Sequence, residues 1–313
     1  MQPLFPLIAL ASPTDYATSL LLDTLWGTLL DAVAGVSGLG VLGFPFMQRA
    51  YLAAICIAII GPLVGGFLVH REMAMIADTL AHSAFAGVAA GLFVNAVYTV
   101  AVPPLLSALV VAAGAALLVQ TLVDYAGAYR DTSLAIVLTG AFAIGSVLIT
   151  ATDGGIAVGI NAYLFGSLAT VSRFNAALLA GMSVVVTVGT TVAYRPLIYI
   201  TFDEIGAKAS GLNVRRYNQL LAVLTAVVVV GAMQIMGVIL VAAMLVVPVA
   251  ATSSVRGFKR SVLAAIGIGQ LSTLLGVTIS YQYDIAAGGT IVLVAIALYV
   301  VITVGGRFGP RQT

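Results

Sequence analysis

His70–Gly91, HREMAMIADTLAHSAFAGVAAG, decides how this chain is read. It holds both histidines of the protein, His70 and His82, and it sets Asp78 four residues before His82. Residues four apart on a helix share one face. The surrounding sequence is nearly all apolar for the length of a membrane crossing. A carboxylate and an imidazole kept there are costly to desolvate, so they call for a chemical reason.

Working outward, the 313 residues are 61% hydrophobic and only 8% charged. Soluble domains run nearer 25% charged, and a soluble core could not hide this much apolar surface. The class is all-α integral membrane, because apolar runs of about 20 residues recur and alternating barrel segments do not. Net charge is +2 with no basic block, so no nucleic-acid partner is implied. The lone Cys56 lies in an apolar run and reads as a core side chain. Met1–Ala11 is apolar but is preceded by no Lys or Arg, so no signal peptide is read there. A GxxxxGK[ST] phosphate loop is missing, which leaves no ATPase within the chain.

Apolar runs at Arg49–Val69, Asp78–Tyr98, Leu105–Val123, Thr132–Ala151, Phe174–Tyr194, Asn218–Met233, Ile235–Thr252, Ser261–Tyr281 and Ala287–Val304 give a polytopic bundle of about eight spans, the two runs around Gln234 lying back to back. Ile156–Thr170 is too short to cross comfortably and reads as a short or re-entrant helix packed on protein. Residues 1–45 form an extension broken by Pro3, Pro6 and Pro13, with an interfacial or extra helix and a Gly-rich exit. The transmembrane body is 46–306, and 307–313 is a tail. Basic residues in short loops put Arg49 and Arg173 outside and the other Lys and Arg, the tail included, on the cytoplasmic side.

From the residues alone, Asp78 and His82 fit a divalent-metal site, since carboxylate oxygen and imidazole nitrogen suit Zn²⁺, Mn²⁺ and Fe²⁺. The other readings are a helix cap at Asp78 with a hydrogen-bonded His82, or a proton relay. His70, Arg71 and Glu72 read as charges at a membrane end. The longest polar stretch, 197–217, contains DEIGAKASG (Asp203–Gly211), a brief helix that Gly211 ends on the cytoplasmic side. Pro248 in LVVPVAAT is expected to kink its span and is a gating candidate. The small-residue rows Gly87, Ala90, Gly91 and Gly231, Gly237 let helices approach closely.

Five segments in order carry a resemblance: RxMxxxxDTLAHSAFAGVAAG, AYLFGS at Ala162–Ser167, FDEIGAKASGLNV, VGAMQIMGVILVAAMLVVPVAAT at Val230–Thr252, and SYQYDIAAGGTIVLVA. Together they resemble the membrane permease subunit of the zinc/manganese/iron ABC importers, over roughly Phe46–Val304. The resemblance implies a permease fold related to the vitamin B12 and siderophore importers. It implies a second copy of the permease, an ATP-binding cassette subunit that hydrolyses the ATP, and an extracellular metal-binding protein that delivers the ion. It implies that Asp78 and His82 are metal ligands, with no permanently bound cofactor. It also implies that the segment carrying Asp203, Glu204, Ala207 and Gly211 couples to the ATPase. Some zinc members carry a further His in the fourth span, where this chain has Leu138-Thr139-Gly140-Ala141. The expected function is import of Zn²⁺, Mn²⁺ or Fe²⁺ across the cell membrane. The alternatives are a siderophore or corrinoid permease, and a secondary metal or proton transporter acting alone.

Overall fold

Pro45 opens the first long helix of the computed structural model, which describes residues 26–37, 40–98, 101–125, 129–151, 157–168 and 171–308. Proline suits a first helical turn, where its missing N–H would have no partner anyway. Before it stand α1 (Gly27–Ser37) and a 3₁₀ turn, Gly40–Gly43. The eleven residues of α1 rise about 16 Å, half a bilayer core. Gln48 ties this entry to the body: its Nε2 donates to Asp31 Oδ1 at 2.8 Å and to the Leu42 carbonyl at 3.0 Å.

The long helices are α2 (Pro45–His70), α3 (Met75–Tyr98), α4 (Pro104–Tyr125), α5 (Arg130–Thr150), α7 (Arg173–Val192), α10 (Val214–Met236), α12 (Phe258–Tyr283) and α13 (Ala287–Phe308). These eight are long and apolar enough to cross a membrane. The shorter pieces are α6 (Ala157–Phe165), α8 (Tyr194–Phe202), α9 (Glu204–Ala209) and α11 (Val241–Ala250). At nine residues, α6 is the short helix expected within Ile156–Thr170.

α10 is the axis of the bundle. Its membrane-length window is 83% buried, against 22% for α5. It packs on α2, α3, α4 and α7, and α3 in turn is flanked by α4 and α5. Small residues set the spacing: a side chain at Gly87 would strike the backbone of α4 at Ala108, and one at Gly65 the Leu245 carbonyl of α11.

Two boundaries differ from the sequence reading. The chain does not divide at Gln234. α10 runs through it to Met236, and the break falls at Gly237, whose φ of 79° and ψ of 156° only glycine adopts readily. Beyond the break there is no full second span. The chain forms α11 instead, ten residues long, with Pro248 buried in its last turn. The unwound strand after Gly237 is held by α6: Val238 N donates to the Tyr163 carbonyl at 2.9 Å, and Ser167 N to the Gln234 carbonyl at 3.1 Å. Backbone that leaves the helix inside a bilayer needs such protein partners. The second change is at the coupling stretch. α7 ends at Val192, and a separate helix, α8, carries Arg195 and Pro196 in its first turn.

Candidate metal site and coupling segment

The turn between α2 and α3 sets the depth of the opening pair. Met73 N donates to the Leu68 carbonyl at 2.8 Å, and Glu72 takes a positive φ of 56°, so the chain reverses within four residues. α3 therefore begins at Met75, and Asp78 already lies within its helical first turn rather than at the capping position. The cap reading fails for this reason. The Oγ of the neighbouring Thr79 does not cap either: it donates to the Met75 and Leu134 carbonyls.

His82 Nδ1 lies 3.0 Å from the Asp78 backbone carbonyl. A carbonyl only accepts, so Nδ1 carries a proton, and in the neutral ring Nε2 then keeps its lone pair for another partner. The same nitrogen is 3.7 Å from Asp78 Oδ1, and the two side chains are 21% and 38% exposed, His82 the less. Anchoring one ring nitrogen on an oxygen acceptor is the arrangement that orients metal-ligating histidines. His82 lines a cavity of about 310 Å³ whose other wall is α5, through Leu138, Thr139, Phe142, Ala143 and Ser146. The Phe142 ring stands edge-on to the imidazole, centroids 5.6 Å apart.

The resemblance had pointed to this wall only at Leu138–Ala141; Phe142, Ala143 and Ser146 were not singled out, although Thr139, Ala143 and Ser146 recur at helical spacing. The Thr139 hydroxyl is spent on the Ala135 carbonyl at 2.7 Å. Among the described residues no group of three His, Cys, Asp or Glu comes together. His70 is not part of the pair. Its Nδ1 bonds the Gly66 carbonyl at 2.8 Å, and its ring packs on Phe202 and Phe258.

The residues expected to couple to the ATPase, Asp203–Gly211, form a second, separate unit. Asp203 caps α9, its Oδ1 accepting from Gly206 N at 2.8 Å. A side chain at Gly206 would collide with that carboxylate and with the Tyr199 hydroxyl, a requirement the sequence reading did not identify. Ala207 is fully buried in a small cluster with Ile200 and Val214, which fixes α9 to α8 and α10. Glu204 and Lys208 pair on the outer side at 2.7 Å. Gly211 takes φ +84° and ends the segment. The face turned away from the bundle presents Ile205, 82% exposed. Pro248 belongs to neither group. It removes the hydrogen bond to the Met244 carbonyl, where α11 lies against Gly61 of α2.

The turn also links the two units. Arg71 Nη1 donates to Asn218 Oδ1 of α10 at 3.0 Å, so the residue just before α3 is bonded to the helix just after α9.

A bundle of eight membrane-length helices with a capped, protruding short helix at one end and a carboxylate–imidazole pair inside one span defines a multi-pass transport permease of the cell membrane. The chain belongs to the ABC 3 transport family, whose model matches residues 43–306. It is 32% identical to the manganese transport system membrane protein MntC of Halalkalibacterium halodurans, over 87% of this chain and 90% of that protein. It is 27% identical to the manganese import system permease protein ScaB of Streptococcus gordonii, over 84% of this chain and 92% of that one. Among solved structures, PsaBC from Streptococcus pneumoniae in complex with Fab superposes with a TM-score of 0.74 at 28% identity, covering 84% of this chain and 92% of that chain.

Proposed function

We propose that this chain is the membrane subunit of an ATP-driven importer of divalent transition metal ions, with Mn²⁺ the principal cargo, ahead of Zn²⁺ and Fe²⁺. The observation that carries the reading is the Asp78–His82 pair, with Nδ1 engaged and Nε2 available on the wall of a cavity. The donor set favours manganese: carboxylate, hydroxyl and water oxygens suit it, whereas zinc is held best by several imidazoles or thiolates. The relatives named for manganese transport point the same way.

One chain offers two ligands. A second copy of the permease, bringing its own Asp78 and His82, would complete a set of four, loose enough to release a cargo ion. The ATP-binding subunit would dock on α9, where Ile205 supplies an apolar knob and Glu204 and Lys208 the polar rim. ATP binding would draw the two docked segments together, and the permeases would rock between outward- and inward-open arrangements. An extracellular metal-binding protein would deliver the ion to the outer mouth.

The test is ⁵⁴Mn²⁺ uptake by the reconstituted permease–ATPase complex with its binding protein. Asp78→Ala and His82→Ala should each abolish uptake while the complex still assembles. Full uptake in both variants would sink the metal assignment and favour a chelate permease. A permease that transports with no ATP-binding subunit present would sink the ATP-driven reading.

A further inference from the structure

We infer that the cytoplasmic end of the bundle carries a binding site for an anionic phospholipid, in a groove between α2, α7 and α12. The groove has a volume of about 350 Å³. Its walls are the side chains of Leu63 and Phe67 from α2 and of Val262, Leu263 and Ile266 from α12, with Thr190 on the α7 side. Leu263 is 59% exposed, and Val188 and Val192 nearby on α7 are 54% and 79% exposed, so the groove opens on the apolar belt that faces lipid. An acyl chain is the ligand that such a slot takes from a bilayer.

The mouth gives the headgroup its sign. Lys259 is the only charged residue lining the groove, and no carboxylate lies within ion-pair distance of it among the described residues. Arg256 and Arg260 stand exposed beside it in sequence, and exposed Arg195 lies five residues beyond Thr190. The neighbouring carboxylates are engaged elsewhere: Asp203 caps α9, and Glu204 pairs with Lys208. Lys259 also lies in the first turn of α12, a 26-residue helix whose N-terminal N–H groups favour a negative ligand.

A second observation is independent of charge. Thr190 is 1% exposed, yet its Oγ1 has no hydrogen-bond partner among the described residues. A buried hydroxyl left unpaired is unfavourable, because it has lost its bonds to water and gained none. A lipid ester carbonyl lying along the groove would accept from it. The site therefore takes a phosphodiester headgroup on Lys259 and the α12 terminus, a glycerol ester at Thr190, and one acyl chain along Leu63, Phe67 and Ile266. It stands independently of the metal reading.

The experiment reconstitutes the permease–ATPase complex in nanodiscs of equal phosphatidylglycerol and phosphatidylcholine, then counts retained lipids by native mass spectrometry. Wild type should retain phosphatidylglycerol in preference to phosphatidylcholine. Lys259→Ala should lower that retention about fivefold, the effect of one basic residue at an anionic membrane surface, and Lys259→Arg should restore it. Ile266→Trp, which fills the groove, should lower retention of both lipids. Equal retention of the two lipids by wild type, or unchanged phosphatidylglycerol in Lys259→Ala, would overturn the proposal. So would a disulfide joining two Leu263→Cys permeases, because a second copy would then cover the groove. Lys259 is exposed, so its substitution leaves the fold intact and the charge test decisive.

Discussion

Gly237→Ala tests the joint between α6 and the break after α10. At φ 79° and ψ 156° the backbone of Gly237 lies in a region essentially reserved for glycine, and an L-residue there costs of order 1–3 kcal/mol. The added methyl would also run into the Leu164 carbonyl and the Phe165 backbone, while a methyl at Gly166, at φ 77°, would meet the Ile235 carbonyl. The two glycines interlock, so neither backbone can retreat without losing the bonds between the segments. The two shortest are Val238 N to Tyr163 O at 2.9 Å and Ser167 N to Gln234 O at 3.1 Å, with a longer one from Ile239 N to Leu164 O at 3.5 Å and Val238 itself 1% exposed. Two such bonds add roughly 2 kcal/mol. The expected destabilisation is about 3–5 kcal/mol, a shift of about two to three and a half decades in the folding equilibrium.

Gly267→Ala is the matched control. Gly267 lies inside α12, where an added methyl meets nothing within 4 Å, so alanine should be neutral or stabilise by roughly 0.5–1 kcal/mol. Unfolding of the purified permease in mixed detergent micelles, followed by circular dichroism against denaturing-detergent fraction, separates the two. The reasoning is refuted if Gly237→Ala unfolds at the same fraction as Gly267→Ala.

The same contacts set four other outcomes. Thr139→His places a second imidazole across the cavity from His82, so Zn²⁺ should compete more strongly against ⁵⁴Mn²⁺ uptake; an unchanged competition curve counts against the cavity as the ion's path. Glu204→Lys breaks the pair with Lys208 and puts two cations on the rim of α9, which should lower transport-stimulated ATP hydrolysis with the permease still folded; a normal rate argues against docking there. Gly211→Pro cannot take φ +84° and removes the N–H that bonds the Lys208 carbonyl at 3.1 Å, so it should uncouple hydrolysis from uptake more severely than Glu204→Lys does. Arg71→Ala cuts the bond to Asn218 and should lower the number of ions moved per ATP while leaving equilibrium metal binding unchanged; a fall in both would place Arg71 in the ion site instead.

Hydropathy made the bundle legible because every long apolar run but Ile235–Thr252 lies in one helix, and length alone identified the stub at 157–165. It misplaced the break near Gln234 for a definite reason. Gln234 is the one strongly polar residue in an apolar stretch, yet at 5% exposure it is accommodated inside α10. The break is a backbone event at Gly237, and hydropathy does not register φ. The start of α3 was misread in the same way: Asp78 looked like a helix start because it is charged, whereas the turn Arg71–Ala74 sets the start by its hydrogen bonds. The pair itself was legible from spacing. Its surroundings were not, because Thr139 and Ser146 lie on another helix and Asn218 is 147 residues from Arg71.

The depth of Asp78 and His82 changes how coupling has to work. At 1.5 Å per residue, they sit about 5 and 10 Å into α3 from its N-terminal end. That end is where Arg71 is bonded to α10, and α10 is joined to α9 through the buried Ala207–Val214 contact. Between α9, the proposed docking helix, and the proposed ligands there are thus one small apolar cluster, one side-chain hydrogen bond and two turns of helix. No relay across the whole membrane is required. A rigid shift of α8 and α9 would carry the foot of α10, pull on the turn at Arg71 and tilt the first turns of α3, where both ligands sit. The Asn218 amide can be exchanged for a hydrophobic isostere without touching either ligand. Asn218→Leu should therefore reproduce the coupling loss of Arg71→Ala, and the double variant should be no worse than either single one, the non-additivity that a shared contact produces.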